Sequence, residues 1–259
     1  MFAHISAATL AGGENPNEDY FLVSNSWALV LDGVTRYPDD GCVHDVPWFV
    51  ASLGTVVARQ LDDDALSLRA ALARGIGTVA QKHEATCDVS NPVSPAATIA
   101  MVRYRAGVVE WLVLGDCAVT WTQPGTATES RSDERLAQLV DPAPAEMVGG
   151  IRRYGIDYLR QVRNQPGGFW VASSDVRAAD QAYVGQFSVS GEETVGLFSD
   201  GLTRLVERYG RSWDDLMGSA AKQGLWQLLT LLRETESTDP GLAHRAKRHD
   251  DATGVMLWL

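Results

Sequence analysis

The chain has 259 residues, 45% hydrophobic and 21% charged, the composition of one large globular domain covering 1–259 and not of a disordered chain. A net charge of −11, with no lysine-rich block, argues against nucleic-acid binding and favours a cationic ligand such as a divalent metal. No apolar run approaches the roughly 20 residues that span a bilayer, and the opening "MFAHISAATLAGGENPNEDYF" lacks a secretory-signal pattern, so a cytoplasmic protein without membrane contact is expected.

In chain order, "FAHISAATL" alternates as a first strand and the cluster "AGGENPN" turns the chain. "YFLVSNS" and "WALVLDG" read as two strands joined at Asn25-Ser26. "DVPWFVASLGTVVARQL" and "ALSLRAALARGIGTVAQKHEAT" carry apolar residues at helical spacing, the second with Ser67 or Asp64 as its cap. Three strands follow, in "AATIAMVRY", "GVVEWLVLGD" and "AVTWTQ". From about Pro124 to Gly168 the chain is polar and irregular, with "SDERLAQLV" as the best short-helix candidate within it. "GFWVASS" is a candidate strand and "EETVGLFSD" a strong one. A helix starts at "GLTRLVERYG", one or two more fill "SWDDLMGSAAKQGLWQLLTLLRETEST" behind a Ser212 cap, and "ATGVMLWL" is the last strand. Strands, helices, strands and helices in that order make an α+β fold without regular βαβα alternation.

Cys42, Cys87 and Cys117 are odd in number and have no CxxC spacing. That argues against a disulfide framework or a thiolate zinc site, and buried free thiols are expected. Trp27, Trp111, Trp121 and Trp258 fall in strand-like runs and Trp48, Trp213 and Trp226 at helical spacing, all read as packing.

Acids punctuate the strands. Asp32, Asp116 and Asp200 each end an apolar run, Asp250-Asp251 precede the last strand, and Glu18-Asp19 open another. One acid beside a glycine is a turn former. Acids at five strand ends are a candidate cluster, because antiparallel neighbours bring opposite strand ends together. Converging carboxylates destabilise a fold unless a cation compensates, and Mg²⁺ or Mn²⁺ suits an all-oxygen donor set.

At these residues the sequence resembles the metal-dependent serine/threonine protein phosphatases of the type 2C (PPM) family, in its short bacterial form. The matching pieces, in the family's order, are "NEDYF", "LVLDGVT", "AATIAMV", "LVLGDCAV", "LFSDGLTRLV" and "HDDATGVML". The resemblance implies a four-layer α-β-β-α sandwich of two mainly antiparallel sheets flanked by helices. It implies two ions, with Asp32 bridging them, Glu18 and the Gly33 carbonyl on one, and Asp200 and Asp250 on the other. Asp19 would hydrogen-bond a metal-bound water, and Asp116 would serve a weaker third ion. Asp251 stands where the family often has Asn, which makes Asp250 the ligand of that pair. The implied reaction is hydrolysis of phosphoserine or phosphothreonine on a phosphorylated protein substrate, by direct attack of a metal-bridging hydroxide.

The sequence also departs from that pattern. Glu14 stands where many members have a phosphate-gripping Arg, and "VTRYPDDGCVHD" replaces the usual His or Gly-Gly after "DG". Arg36 and His44 are the candidate substitutes for these substrate-binding groups, each weighed against an ordinary surface Arg or loop His. Arg204 takes a position where some members have a third-metal acid. Arg152, Arg153, Arg160 and Arg163 are a candidate substrate-facing set in the flap-like 124–168 segment, and Arg245, Lys247 and Arg248 are either a partner contact or a solvated loop. The alternative to an enzyme is a catalytically weak phosphatase-like module that binds or regulates a partner. Oligomeric state is not encoded in any of these features.

Overall fold

The computed structural model describes residues 1–139, 145–148, 151–239 and 248–259. β1 (His4–Leu10), β2 (Asp19–Val23) and β3 (Trp27–Gly33) lead into helices α1 (Val46–Leu61) and α2 (Leu68–His83). β4 (Ala97–Arg105), β5 (Val108–Leu114), β6 (Ala118–Thr122) and β7 (Glu129–Arg131) follow. Next come a small hairpin, β8 (Ala145–Val148) and β9 (Ile151–Tyr154), then α3 (Ile156–Val162) and a 3₁₀ turn over Val176–Gln181. β10 (Tyr183–Ser188), β11 (Thr194–Phe198), α4 (Asp200–Glu207), α5 (Trp213–Gln223), α6 (Leu225–Thr238) and β12 (Ala252–Trp258) complete the chain.

Two five-stranded sheets form, ordered β1-β12-β11-β6-β7 and β10-β5-β4-β3-β2, and every pair within them is antiparallel. Successive strand residues point to opposite faces, and both faces are covered, so the central strands read as continuous apolar runs. In β3, Ala28 and Val30 join Ala100, Val119, Leu197 and Val255 between the sheets. Leu29 and Leu31 face the other way, onto Phe49 and Leu53 of α1 and Leu72 and Ile76 of α2. On the far side Phe198 and Met256 pack under Leu205, Leu216, Leu229 and Leu232 of α4, α5 and α6. This is the expected four-layer α-β-β-α sandwich.

The helix boundaries follow their caps. Asp45 accepts from Trp48 N and Ser67 from Ala70 N, so α1 and α2 start where side chains satisfy first-turn donors. Ser212 and Asp215 form a reciprocal capping box on α5. Gly224, at φ +91°, breaks that helical run into two, in a conformation that glycine alone adopts easily.

Several expectations are corrected. "SDERLAQLV" forms turns over its described residues, and the segment around it holds β7, the β8–β9 hairpin and α3. "GFWVASS" is no strand: it makes isolated bridges, Ala97 to Ala172 and Arg163 to Phe169, and Val171 N donates instead to Asn164 Oδ1 at 2.8 Å. Cys42 and Cys87 are joined in a disulfide and only Cys117 is a buried free thiol, since folding brings together two loops separated by 45 residues of chain. Trp226 is 57% exposed and so is not core. Among the described residues no helix is long and apolar enough to cross a membrane.

Candidate active site

The site lies where the two sheets are tied together at one end. In the β2–β3 register Asp19 stands opposite Asp32, the start of one strand against the end of the next. Asp116 follows β5, Asp200 opens α4 directly after β11, and Asp250 precedes β12. Ser199 links the layers: its hydroxyl donates to Asp19 Oδ2 at 2.7 Å and accepts the Thr253 N–H at 2.9 Å.

Two glycines make the approach possible. A Cβ on Gly33 would stand 2.2 Å from Val46 Cγ1 and 2.6 Å from the Glu18 carbonyl oxygen, and the Gly33 N–H donates to that same oxygen at 3.1 Å. A Cβ on Gly201 would meet the Asp251 carbonyl oxygen at 1.9 Å. The "DG" pairs are therefore packing requirements as much as turn signals.

Asp251 is a scaffold residue. Its two carboxylate oxygens accept the N–H groups of Gly12 and Glu18, each at 2.7 Å, so it is committed to backbone and Asp250 is left facing the cluster.

The carboxylates act on one another. Burial pushes Asp32 well above the usual carboxylate range, reinforced by the charges of Asp200, Asp19, Asp116 and Asp250. Burial raises Asp19 to about 8, against the lowering effect of its hydroxyl donors, and raises Asp116 to about 7, with Asp200 adding to the latter. Asp200 is raised by burial and by the charge of Asp250, against the lowering effect of Arg204. Asp19 is buried, whereas Asp32, Asp116 and Asp200 are half-buried, so the cluster is desolvated and still reaches the surface. Below it, the Cys117 thiol is pushed up by burial and by Asp32, and lies 3.2 Å from the Thr98 hydroxyl.

The donor set consists of oxygens, and Asp19 Oδ1 is buried without a hydrogen-bond partner among the described residues. An orphaned acceptor amid mutually repelling carboxyls fits a hard divalent cation. Among the described residues no three His, Cys, Asp or Glu side chains are gathered into a ready ligand set, and Arg204 holds Asp250 in an ion pair.

Arg204 and Glu207 are the residues that sequence reasoning undervalued. The Arg204 side chain is 4% exposed and ion-paired with both Asp250 and the fully buried Glu236. Against the burial that opposes it, the charges of Asp250 and Asp200 keep its guanidinium protonated. Glu207 lies at the exposed rim of α4, raised by partial desolvation and by Asp200, and is among the charges that raise Asp116. Its seven-residue spacing from Asp200, two helical turns, is the signal that places both on one face.

The two candidate substrate-binding residues are engaged elsewhere. Arg36 pairs with Asp40 at 2.7 Å, donates to the Cys42 carbonyl, and accepts on its own carbonyl from Arg153. His44 stacks on Trp48, with ring centroids 3.8 Å apart, and contacts the Thr86 hydroxyl. The arginine set is scattered likewise: Arg153 covers the Tyr37 ring, Arg160 pairs with Asp157, and buried Arg163 donates to the Ser94 carbonyl. The Arg152 side chain, Arg245 and Lys247 lie outside the described residues; Arg248 is exposed.

No protein-family profile matches the sequence, and no curated protein matches it. Solved structures do. The serine/threonine phosphatase PstP/Ppp of Mycobacterium tuberculosis aligns at TM-score 0.64 and 15% identity, over 99% of this chain and 98% of that one. The PPM Ser-Thr phosphatase MsPP of Mycobacterium smegmatis, in complex with cacodylate, aligns at TM-score 0.62 and 15% identity over 100% and 99%. A PstP catalytic domain in complex with 2 manganese ions aligns at TM-score 0.62 and 16% identity over 98% and 97%. The chain has the fold of these PPM phosphatases along its whole length.

Proposed function

We propose that the chain hydrolyses phosphoserine and phosphothreonine esters of protein substrates with the aid of Mn²⁺ or Mg²⁺. The observation that carries this reading is the convergence of Asp19, Asp32, Asp116, Asp200 and Asp250 at one end of the sandwich, where each raises the proton affinity of a neighbour. A structural scaffold gains nothing from such repulsion, whereas a cation site requires it. The manganese ions in a PstP domain of the same fold support the choice of metal.

Glu18, Asp32 and the Gly33 carbonyl would hold one ion; Asp200 and Asp250 are the second acid pair, and Asp116 a weaker further site. When bound, such an ion supplies Lewis acidity toward phosphoryl oxygens and lowers the pKa of water at neutral pH. The chain's own part is to place these groups. Ser199 fixes Asp19 through Oδ2, which leaves Oδ1 to accept a hydrogen bond from a water in the cluster. Asp251 fixes the Glu18 backbone from outside the cluster. The half-buried rim at Asp32, Asp116 and Asp200 keeps an entry for a phosphate ester.

A non-catalytic phosphate-binding or regulatory module is the second reading, favoured by Arg36, whose guanidinium is paired with Asp40. Parallel assays of p-nitrophenyl phosphate and a phosphothreonine peptide with Mn²⁺ or Mg²⁺ separate the two. Turnover of the peptide supports the protein phosphatase, turnover of the small ester alone restricts the substrate class, and binding without turnover supports the module.

A further inference from the structure

The five converging acids are not equally neutralised. On the Asp32 side, the carboxyl of Asp32 is surrounded by the charges of Asp200, Asp19, Asp116 and Asp250, and Asp19 keeps an orphaned oxygen. On the Asp200–Asp250 side a cation is already built in. Arg204 leaves α4 one turn after Asp200 and places one guanidinium nitrogen on Asp250 and the other on Glu236 Oε1 at 3.1 Å.

That arginine is braced from behind. Glu236, fully buried on α6, also accepts from Arg233 Nη1 at 2.8 Å and from His249 Nδ1 at 2.7 Å. Arg233 in turn donates to the carbonyls of Leu10, Ala11 and Asp250, which fixes the strand end that carries Asp250. The Arg204 guanidinium is thus held in a fork by two carboxylates, and its Nε is buried without a hydrogen-bond partner among the described residues. A fork of this kind is rigid and resists displacement.

Building on the metal-dependent reading above, we infer that Arg204 is the resident cation of the Asp200–Asp250 half of the site, so that the chain binds one divalent ion tightly where the family resemblance implies two. A second ion enters only by drawing Asp250 off the guanidinium. Breaking a buried ion pair by removing a partner is costly enough to weaken that step by roughly a hundredfold or more. The arginine also orients: it holds Asp250 in one rotamer without a second metal, a positioning role and not a catalytic one.

The test is Mn²⁺ binding to the full chain, followed by elemental stoichiometry and electron paramagnetic resonance, for wild type and for Arg204→Met, which keeps much of the volume and removes the charge. Wild type is expected to take up one Mn²⁺ per chain with the spectrum of an isolated ion, and a second only at roughly hundredfold higher concentration. Arg204→Met is expected to take up two, with the spectrum of an exchange-coupled pair. Two ions of similar affinity in wild type overturn the inference while leaving the metallohydrolase reading intact. One ion in both proteins also overturns it, because the arginine then excludes nothing. No Mn²⁺ in wild type overturns the metal-dependent reading itself. If Arg204→Met does not fold, Arg204→Gln takes its place with the same two outcomes.

Discussion

Asp251 holds Glu18 in place: its carboxylate accepts the Glu18 N–H at 2.7 Å across 233 residues of chain, and the Gly12 N–H at the same distance. The second acid of the "DD" pair is thus the clamp that joins the β1–β2 loop to the start of β12, while the first faces the cluster.

Removing the clamp leaves two backbone donors without their acceptor. Asp251→Ala is expected to cost about 1–3 kcal/mol for each N–H left unsatisfied in the fold. It also releases Glu18, so the proposed phosphatase activity is expected to fall further than thermal stability alone explains. Melting temperature and Mn²⁺ affinity, measured on Asp251→Ala and Asp251→Asn, check this. Unchanged Mn²⁺ affinity in Asp251→Ala contradicts the positioning role.

Gly201 permits the Asp251 backbone to pass close by. A Cβ there would stand 1.9 Å from the Asp251 carbonyl oxygen, and backbone cannot swing away as a side-chain tip can. Gly201→Ala is expected to destabilise by at least the ~1–3 kcal/mol typical of overpacking. Gly218 has open space at the same test, so Gly218→Ala is the control that retains or gains stability. Denaturant unfolding of the pair decides.

The acids also set a pH dependence for protein stripped with EDTA. Asp19 at about 8 and Asp116 at about 7 stand above their ordinary value of 3.8. Across that window the folded chain binds more protons than the unfolded chain, so stability falls as pH rises. The contribution is complete below the ordinary carboxylate pKa and is lost as pH rises through the folded values. Melting temperature in EDTA is expected to drop between pH 5 and pH 8, and Mn²⁺ to flatten the slope by favouring the ionised carboxyls. A flat profile in EDTA contradicts the convergence of these groups.

The Cys42–Cys87 bond closes a loop of 45 residues that contains α1 and α2. On loop-entropy grounds it contributes about 4 kcal/mol. Dithiothreitol is expected to lower the melting temperature of wild type and to leave Cys42→Ser/Cys87→Ser unaffected. Equal sensitivity of both proteins rules the contribution out.

Sequence carried most of this architecture because its signals are local. Ser67 and Ser212 mark helix starts, the Asn25-Ser26 turn separates β2 from β3, and the strand-end acids stand beside strands whose order converges them. What escaped was long-range or masked by composition. "GFWVASS" is apolar because it is buried, yet its backbone bonds go to Asn164 and Ala97 and form no ladder. β10 escaped for the opposite reason: it is an edge strand with exposed Tyr183 and Val184, so its pattern is weak. The Cys42–Cys87 bond and the Arg204–Glu236 pair join residues whose spacing carries no signature. Arg204 reads as a lost acid in sequence and as an internal cation in the fold.

The proposed chemistry depends on the convergent acids binding a divalent ion for phosphate-ester hydrolysis. Its most direct measurement is phosphate release from a phosphothreonine peptide with Mn²⁺, with EDTA, and by Asp32→Asn with Mn²⁺. Turnover is expected with Mn²⁺ alone, abolished by EDTA and reduced at least ~10³-fold in the variant. Turnover that survives EDTA, or that Asp32→Asn retains in full, contradicts it.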